Sequence, residues 1–406
     1  MSASKGGSVN RELGELVKFV GGQAFPRDEQ GGRSGHVPFI KVRDMNASPN
    51  EFAIHAADHY VTADQIQRLK LKPHPAGAVV FAKIGEALKH NRFRRLVRPT
   101  VIDNNMMSAR PVDDAQLDTV FLSFLLPTLH LPQYATGTSV PFFSVNTLNQ
   151  VPLTLPPLPI QKRIAAILSA YDDLIEVNTR RIAILEEMAR RIYEEWFVRG
   201  ADPEWGNVPL CEIAQVNPDA LKPKSAPSHI NYIDIASVSP GRVDVIQRLA
   251  FQDAPGRARR LVRDGDTIWS CVRPNRRSFA YLLDLPDRCV ASTGFAVLRA
   301  SRVPSSFLFC AVTTDQFVKY LDNAATGAAY PAVKGSDFEA ASLVVPPEQK
   351  MQEFHSLVQP MLGLKSCLLQ QNANLRAQRD LLLPRLVSGK LDVSALDVAE
   401  QDLAHA

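Results

Sequence analysis

The chain has 406 residues, too many for one ordinary domain, and this length predicts two to three compact units that each bury a core. Hydrophobic residues make up 45% of the chain and charged residues 22%, values that exclude a disordered or fibrous protein. A net charge of +4 is too small to indicate a polyanionic partner, so only the distribution of charge along the chain can do so.

The longest apolar stretches, such as Val120–Leu126, are far shorter than the roughly eighteen residues that span a bilayer. Residues 1–10 are polar and lack the apolar core of a signal peptide. The five cysteines show no C-x-x-C spacing, which argues against both a disulfide framework and a thiolate zinc site. We therefore expect a soluble, cytoplasmic protein whose cysteines are reduced and buried.

The first predicted element is a globular segment, residues 1–158. Short strand-like runs such as Pro38–Val42 and Ala78–Phe81 occur in it between glycine and proline residues. A second segment of the same kind, residues 201–346, contains the runs Tyr232–Ile235 and Thr267–Trp269. Both segments are therefore interpreted as mixed α/β domains.

Residues 159–200, between the two segments, have the pattern of one long helix. The prolines before Ile160 suit a helix entry, and apolar residues then recur at alternating steps of four and three. This spacing is typical of a coiled-coil seam, and a helix over 160–198 would be roughly 60 Å long at about 1.5 Å per residue. The seam positions are Ile164, Leu168, Tyr171, Ile175, Asn178, Ile182, Leu185, Ala189, Ile192 and Trp196.

A second, less regular helix is predicted over 347–391, followed by a C-terminal tail, 392–406. Gly389 has the position of a C′ glycine, and Pro384 is expected to kink the last turns. Because an isolated amphipathic helix is marginal in water, we expect the two helices to pack against each other as an antiparallel coiled coil. The apolar face is expected to consist of Phe354, Leu357, Met361, Leu364, Leu368, Leu375 and Leu382.

The chain also resembles itself. Ala135–Pro141 is echoed by Ala325–Pro331, an offset of 190 (325 − 135), and both contain a Thr-Gly turn. Gly77–Phe81 is echoed by Gly265–Trp269 at an offset of 188 (265 − 77). The sequence therefore predicts a tandem duplication with pseudo-twofold symmetry, each half being a globular domain followed by a long helix.

Motifs that would carry chemistry are incomplete or missing. Asn217–Asp219 is only a fragment of a methyl-transfer motif, and no ATP-binding G-x-x-x-x-G-K-[ST] motif occurs. His55 and His59 are spaced for one helical turn but lack the glutamate of H-E-x-x-H, which argues against a metal site. Glu348 superficially fits a nuclease E-x-K motif, yet its place after two prolines favours a role at a helix N-terminus.

The order and content of four segments resemble the specificity (S) subunits of Type I restriction-modification enzymes. Leu155–Leu168 and Glu186–Phe197 are similar to the central helix of that family, and Arg379–Leu391 is similar to its distal helix. Gly265–Ser278 and the two Thr-Gly turns resemble its target-recognition domains. Ile160 departs from the family, which usually has glutamate there.

The resemblance implies a non-catalytic subunit that reads an asymmetric, two-part DNA sequence, one half-site per domain. It also implies that the chain scaffolds two adenine-methylating modification subunits and the restriction subunits. S-adenosylmethionine, ATP and Mg²⁺ would then belong to those partners, with no cofactor on this chain. A stand-alone restriction or modification enzyme, and a coiled-coil scaffold that does not bind DNA, remain the alternatives.

Positive charge is concentrated in two stretches, one in each globular segment. Arginine suits DNA because it donates bidentately to guanine edges and also contacts phosphates. A solvated surface without a ligand is the alternative interpretation, and the Thr-Gly turns are interpreted as structural. The candidate DNA-binding residues are Lys89, Arg92, Arg94, Arg95, Arg98, Arg257, Arg259, Arg260, Arg273, Asn275, Arg276 and Arg277.

Overall fold

The computed structural model describes residues 9–327 and 329–394, which leaves Ala328 of the second Thr-Gly turn and tail residues 395–406 outside the described part. Two compact units are formed. The first unit combines the described residues of Met1–Val177 and Asn372–Ala406, and the second unit is Asn178–Gln371. Both divisions fall within the long helices, so each helix contributes residues to both units.

The first unit has a layered α/β core. One face of its five-stranded sheet, β2-β9-β6-β7-β4, packs against a three-stranded sheet, β5-β3-β8, and the other face packs against helices. The strands are β1 (Val9–Glu12), β2 (Val17–Gly21), β3 (Val37–Ile40), β4 (Ala53–Ile54), β5 (His59–Val61), β6 (Val79–Ala82), β7 (Phe93–Leu96), β8 (Val101–Ile102), β9 (Met106–Pro111) and β10 (Pro152–Leu155). The helices are α1 (Leu13–Leu16), α2 (Ala63–Arg68), α3 (Thr119–Thr128), α4 (Val145–Asn149) and α5 (Leu158–Tyr193).

The second unit repeats this layering with two four-stranded sheets, β12-β21-β18-β19 and β16-β13-β20-β17. Its strands are β11 (Asn207–Pro209), β12 (Ala214–Val216), β13 (His229–Ile233), β14 (Val238–Ser239), β15 (Arg242–Val243), β16 (Gln247–Ala250), β17 (Ala258–Leu261), β18 (Thr267–Ser270), β19 (Phe279–Tyr281), β20 (Cys289–Ser292), β21 (Phe295–Ala300) and β22 (Ser342–Val344). The helices are α6 (Leu210–Ile213), α7 (Ser305–Val312), α8 (Asp315–Ala324), α9 (Gly335–Glu339) and α10 (Glu348–Val387).

Strand pairing confirms the tandem duplication. Val79 of β6 pairs with Ala109 of β9, and Thr267 of β18 pairs with Leu298 of β21. Strands β3 and β8 are parallel in the first unit, as are β13 and β20 in the second. In each unit an antiparallel pair, β1 with β10 or β11 with β22, joins the start of the globular segment to the strand before its long helix.

The seam predicted for α5 is confirmed: all ten positions are buried or half-buried. Within the first unit α5 and α10 run antiparallel, because Asn372 donates to the carbonyl of Ile175 at 3.2 Å while Arg379 reaches Asp172 at 2.7 Å. In the second unit the ammonium of Lys365 lies 2.7 Å from the Glu186 carboxylate. A π-helical turn, Glu194–Arg199, continues α5.

The apolar face predicted for α10 is wrong in part, since Leu357 and Leu364 are 46% and 51% exposed. The seam of α10 follows that of α5 at an offset of 190, and three of its positions are occupied by Lys365, Asn372 and Arg379. A search for apolar residues at helical spacing passes over such polar positions, so it assigned the buried face to the neighbouring leucines instead. The buried residues of α10 include Met351, Phe354, Val358, Leu362, Lys365, Leu368, Asn372 and Leu386.

α10 begins one residue after and ends four residues before the predicted bounds, 347–391. Glu348 is its first residue, where a carboxylate is favoured by the helix dipole. The helix continues through Pro384 to Val387, and Gly389 follows with φ at +69°, the left-handed conformation of a C′ glycine. None of the helices among the described residues is both long enough and apolar enough to cross a membrane.

Candidate nucleic-acid interface

The first basic stretch surrounds strand β7, and three of its predicted residues face solvent. Lys89 pairs with Glu86 at 2.7 Å, and Arg92 donates to the amide oxygen of Asn46. Arg98 donates to a backbone carbonyl at 2.9 Å. Exposed contacts of this kind contribute little stability, so these side chains can be redirected to a ligand at small cost.

Arg94 and Arg95 lie on β7 itself and are half-buried. The Nε of Arg94 donates to the carbonyl of Asn50 at 2.6 Å, and burial lowers the pKa of Arg94 to about 10. Arg95 lines a small cavity beside Ser123 and Asp172. The guanidinium of Arg94 therefore faces other parts of the first unit and Arg95 borders a cavity there, and we assign both residues to the packing of this unit.

The second stretch begins with residues that are engaged within the second unit. Arg257 pairs with Asp234 at 3.0 Å, and the Arg259 guanidinium lies 5.4 Å from the ring centre of Phe251. The Nε of Arg260 is buried and has no hydrogen-bond partner in the described part of the chain. Of these three arginines, Arg257 is the one whose side chain is mainly exposed.

The loop from Arg273 to Arg277 is held in an unusual conformation. Both end residues have positive φ, +51° and +56°, on either side of a 3₁₀ turn. Arg273 stacks over the ring of Tyr330 at 4.5 Å, and Arg277 pairs with Asp315. Asn275 and Arg276 point into solvent, so the fixed ends of the loop display this amide and this guanidinium.

The loop from Arg273 to Arg277 also contacts the Thr-Gly turn of the second unit, which the sequence did not predict. The backbone N–H of Arg273 donates to the carbonyl of Pro331 at 2.7 Å, and that of Val333 donates to Cys271 at 2.9 Å. Tyr330 in this turn is 69% exposed, so an aromatic ring stands beside the arginines of the loop. Flat aromatic faces of this kind can stack on bases.

The first unit has the same strap between the loop after β6 and its own Thr-Gly turn. The backbone N–H of Gly85 donates to the carbonyl of Pro141 at 2.8 Å, and the backbone N–H of Phe143 donates to the carbonyl of Lys83 at 2.9 Å. Gly137 has a φ of +93°, and a Cβ there would lie 2.6 Å from a carbonyl oxygen, so the turn needs glycine. Structurally, then, the counterpart of the arginine loop is residues 85–89.

Apart from Lys89, which stands at the position of Arg277, the basic stretches of the two halves are not equivalent in position. The backbone N–H of His74 donates to the carbonyl of the residue before β8 at 2.8 Å, and the backbone N–H of Val262 donates to the carbonyl of the first residue of β20 at 3.5 Å. Because β8 and β20 are the counterparts in the two units, His74 and Val262 correspond. Exposed Lys72 therefore stands where the second unit has Arg260, and exposed Lys70 lies on the same segment. Sequence reasoning missed both lysines, although the offset of 188 could have identified them.

The remaining sequence candidates have structural contacts. The Nε2 of His55 lies 2.7 Å from a Glu176 carboxylate oxygen, whereas buried His59 accepts a hydrogen bond from the N–H of Gly31 at 2.5 Å. Burial lowers the pKa of His59. Within residues 9–327 and 329–394 no group of His, Cys, Asp and Glu side chains is arranged to hold a metal ion. Asn217 accepts from the N–H of a neighbouring strand at 3.0 Å.

Comparison with known proteins gives a consistent result. Residues 6–187 match the family model described as Type I restriction modification DNA specificity domain. The chain is 24% identical over 397 residues to the Type I restriction enzyme MjaIX specificity subunit of Methanocaldococcus jannaschii, covering 89% of this chain and 88% of that protein. The MjaVIII specificity subunit of the same organism is 19% identical over 70% of this chain and 72% of its own length.

A solved structure shares the fold over nearly the full length. The crystal structure of the S subunit of a Type I restriction-modification system from M. genitalium superimposes with a TM-score of 0.62, covering 97% of this chain and 99% of that one. The sequence identity between the two is 13%, so this likeness concerns the fold alone. It confirms the α/β class predicted from the sequence.

Proposed function

Because the chain belongs to the family of Type I restriction-modification specificity subunits, we propose that it reads an asymmetric, two-part DNA target for such an enzyme. Specificity subunits are the non-catalytic components of these systems. In this proposal each unit reads one half-site. Two modification subunits and the restriction subunits assemble on the chain in the cytoplasm and supply the chemistry, with S-adenosylmethionine, ATP and Mg²⁺ bound to them.

The observation that carries the proposal is that the same backbone strap holds different side chains in the two units. Gly85 and Lys89 stand in the loop of the first unit where Arg273 and Arg277 stand in the second. A rigid loop with exposed donors is suited to base readout, because its side chains lose little freedom on binding. Since the loops differ in chemistry, the two half-sites should differ in sequence.

The duplication also supports two similar partners for one chain, because repeated surfaces offer repeated docking sites. Outward-facing apolar residues on α5 are candidates for contact with the modification subunits. They would leave water on assembly, which favours binding. These residues are Leu174 and Val177 in the first unit, and Ile184 and Met188 in the second.

Mapping methylated adenines in the host genome, with and without the gene for this chain, tests the proposal. We expect a two-part motif that disappears on deletion and returns on complementation. In the assembled complex, Arg276→Ala should weaken binding to a duplex that carries the motif, whereas Arg199→Ala, which removes one charge elsewhere in the second unit, should not. Loss of a guanine contact would cost about 1–3 kcal/mol and relax one motif position.

Two results would contradict the proposal. Cleavage or methylation of DNA by the purified chain alone would indicate a stand-alone enzyme. A partner-bound complex that protects no DNA sequence would indicate a scaffold that binds proteins only.

A further inference from the structure

A cross-strand pair of cations lies on strands β2 and β9 of the first unit. Lys18 and Arg110 are direct partners in the antiparallel ladder, and both side chains are exposed. Like charges directly opposite each other on a sheet are destabilising. Neither side chain has an ion pair or a side-chain hydrogen bond with any residue of 9–327 or 329–394. Folding therefore leaves this repulsion uncompensated.

The second unit has an arginine at the same register position but neutralises it. Gln215 of β12 pairs with Arg299 of β21, as Lys18 pairs with Arg110. The Nε and Nη2 of Arg299 each donate to Asp266 at 2.8 Å, and its Nη1 donates to Asp219. With one cation and two carboxylates, this group of three side chains has a net charge of −1.

Both carboxylates are missing from the first unit. Counting from the matched strand pairs, Ala78 stands at the position of Asp266, and Gly22 follows Phe19 by three residues as Asp219 follows Val216. Gly22 leaves no room for an acid, because a Cβ there would lie 2.0 Å from the carbonyl oxygen of Asp103. With two cations and neither of these acids, the net charge changes from −1 in the second unit to +2 in the first.

Two more lysines lie on a segment that is hydrogen-bonded to β9 and to the residues after β2. The Nδ1 of His74 lies 2.7 Å from the hydroxyl of Ser108, which is two residues from Arg110 on β9 and on the same face of the strand. The segment that ends at His74 carries exposed Lys70 and Lys72. The backbone N–H of Lys72 donates at 2.6 Å to the side-chain oxygen of Gln23, two residues after the end of β2. Exposed cations are therefore also present on this neighbouring segment of the first unit.

We propose that Lys18, Lys70, Lys72 and Arg110 form a contact surface for the sugar-phosphate backbone of duplex DNA. This inference rests on the proposed function, which supplies the DNA. A phosphate between the paired cations would remove their repulsion, so binding would release an unfavourable interaction that folding retains. Three of the four cations are lysines, which are common in phosphate contacts and depleted in protein–protein interfaces. The carboxylate of Asp103, an acidic residue beside Gly22, is engaged by Asn105, which donates two hydrogen bonds to it at 2.9 and 2.8 Å.

Salt-dependent binding tests this surface. The full chain, assembled with its modification subunits, is titrated into a fluorescein-labelled DNA duplex of mixed sequence at several salt concentrations. In the double variant Lys18→Gln with Arg110→Gln, the slope of log K against log salt should become shallower by about 0.9 for each lost phosphate contact, or about 1.8 in total. Arg43→Gln is the single-charge control, because Arg43 lies in the same unit but belongs to an exposed ion pair with Asp58 at 3.0 Å.

The thermal midpoint of the unbound double variant separates binding from folding. It should equal or exceed that of the wild type, since the substitution removes repulsion and Gln215 already occupies the equivalent position. A slope unchanged in the double variant while the wild-type complex binds DNA overturns this inference alone. Unchanged DNA binding with loss of the modification subunits would overturn it in favour of an acidic protein partner. A wild-type complex that does not bind DNA overturns the proposed function itself.

Discussion

Replacing Asp266 by asparagine should destabilise the second unit far more than the same change at Asp219. The side chains of Asp266 and Arg299 are 1% and 9% exposed, and the carboxylate receives two hydrogen bonds at 2.8 Å. Removing the carboxylate leaves a buried guanidinium without its main counter-charge, which costs about 3–5 kcal/mol. We expect about 3 kcal/mol, the low end, because Asp219 remains. Asp219 itself is 54% exposed, so Asp219→Asn should cost less than about 1 kcal/mol.

Urea unfolding followed by tryptophan fluorescence measures this difference. All three tryptophans of the chain, Trp196, Trp205 and Trp269, belong to the second unit, so the signal reports on that unit. With a slope of about 2 kcal/mol per molar urea, Asp266→Asn should lower the midpoint by roughly 1.5 M. Equal midpoints for the two variants would refute the assignment of the stabilising interaction to the buried carboxylate.

Three further expectations concern packing and protonation. In the same assay, Leu362→Ala should lower the free energy of unfolding by about 2–5 kcal/mol, because Leu362 is buried, and Leu364→Ala should lower it by less than about 0.5 kcal/mol. The reverse order would support the apolar face of α10 that was predicted from the sequence. Gly137→Ala should cost more than about 1 kcal/mol, because its Cβ would lie 2.6 Å from the carbonyl oxygen of Val140; unchanged hydrogen exchange in this turn would contradict that. Burial lowers the pKa of His74 below 6.5, so its contribution is present above about pH 6.5 and is lost as the pH falls. The urea midpoint of unfolding, followed by circular dichroism, should therefore fall less on acidification in His74→Gln than in the wild type. An equal fall in both proteins would argue against a buried neutral imidazole at His74.

The duplication and the α5 seam could be predicted because both are properties of order along the chain. A helix of period 3.6 brings residues three and four apart to one face, so the apolar series from Ile164 to Trp196 already specifies which side is buried. The echo of Ala135–Pro141 in Ala325–Pro331 likewise needs no coordinates. The α/β class was predicted from another local pattern, the short strand-like runs such as Ala78–Phe81 between glycine and proline residues.

The face of α10, the partners of the arginines and the cationic strand pair could not be predicted in this way. Lys365 is buried because Glu186, far away in the chain, approaches its ammonium, and Arg94 turns inward because a distant carbonyl accepts a hydrogen bond from its guanidinium. Lys18 and Arg110 become neighbours only when β2 pairs with β9. Whether a charge is exposed, neutralised or repelled depends on groups brought together by long-range folding. One-dimensional periodicity carries no information about such pairs.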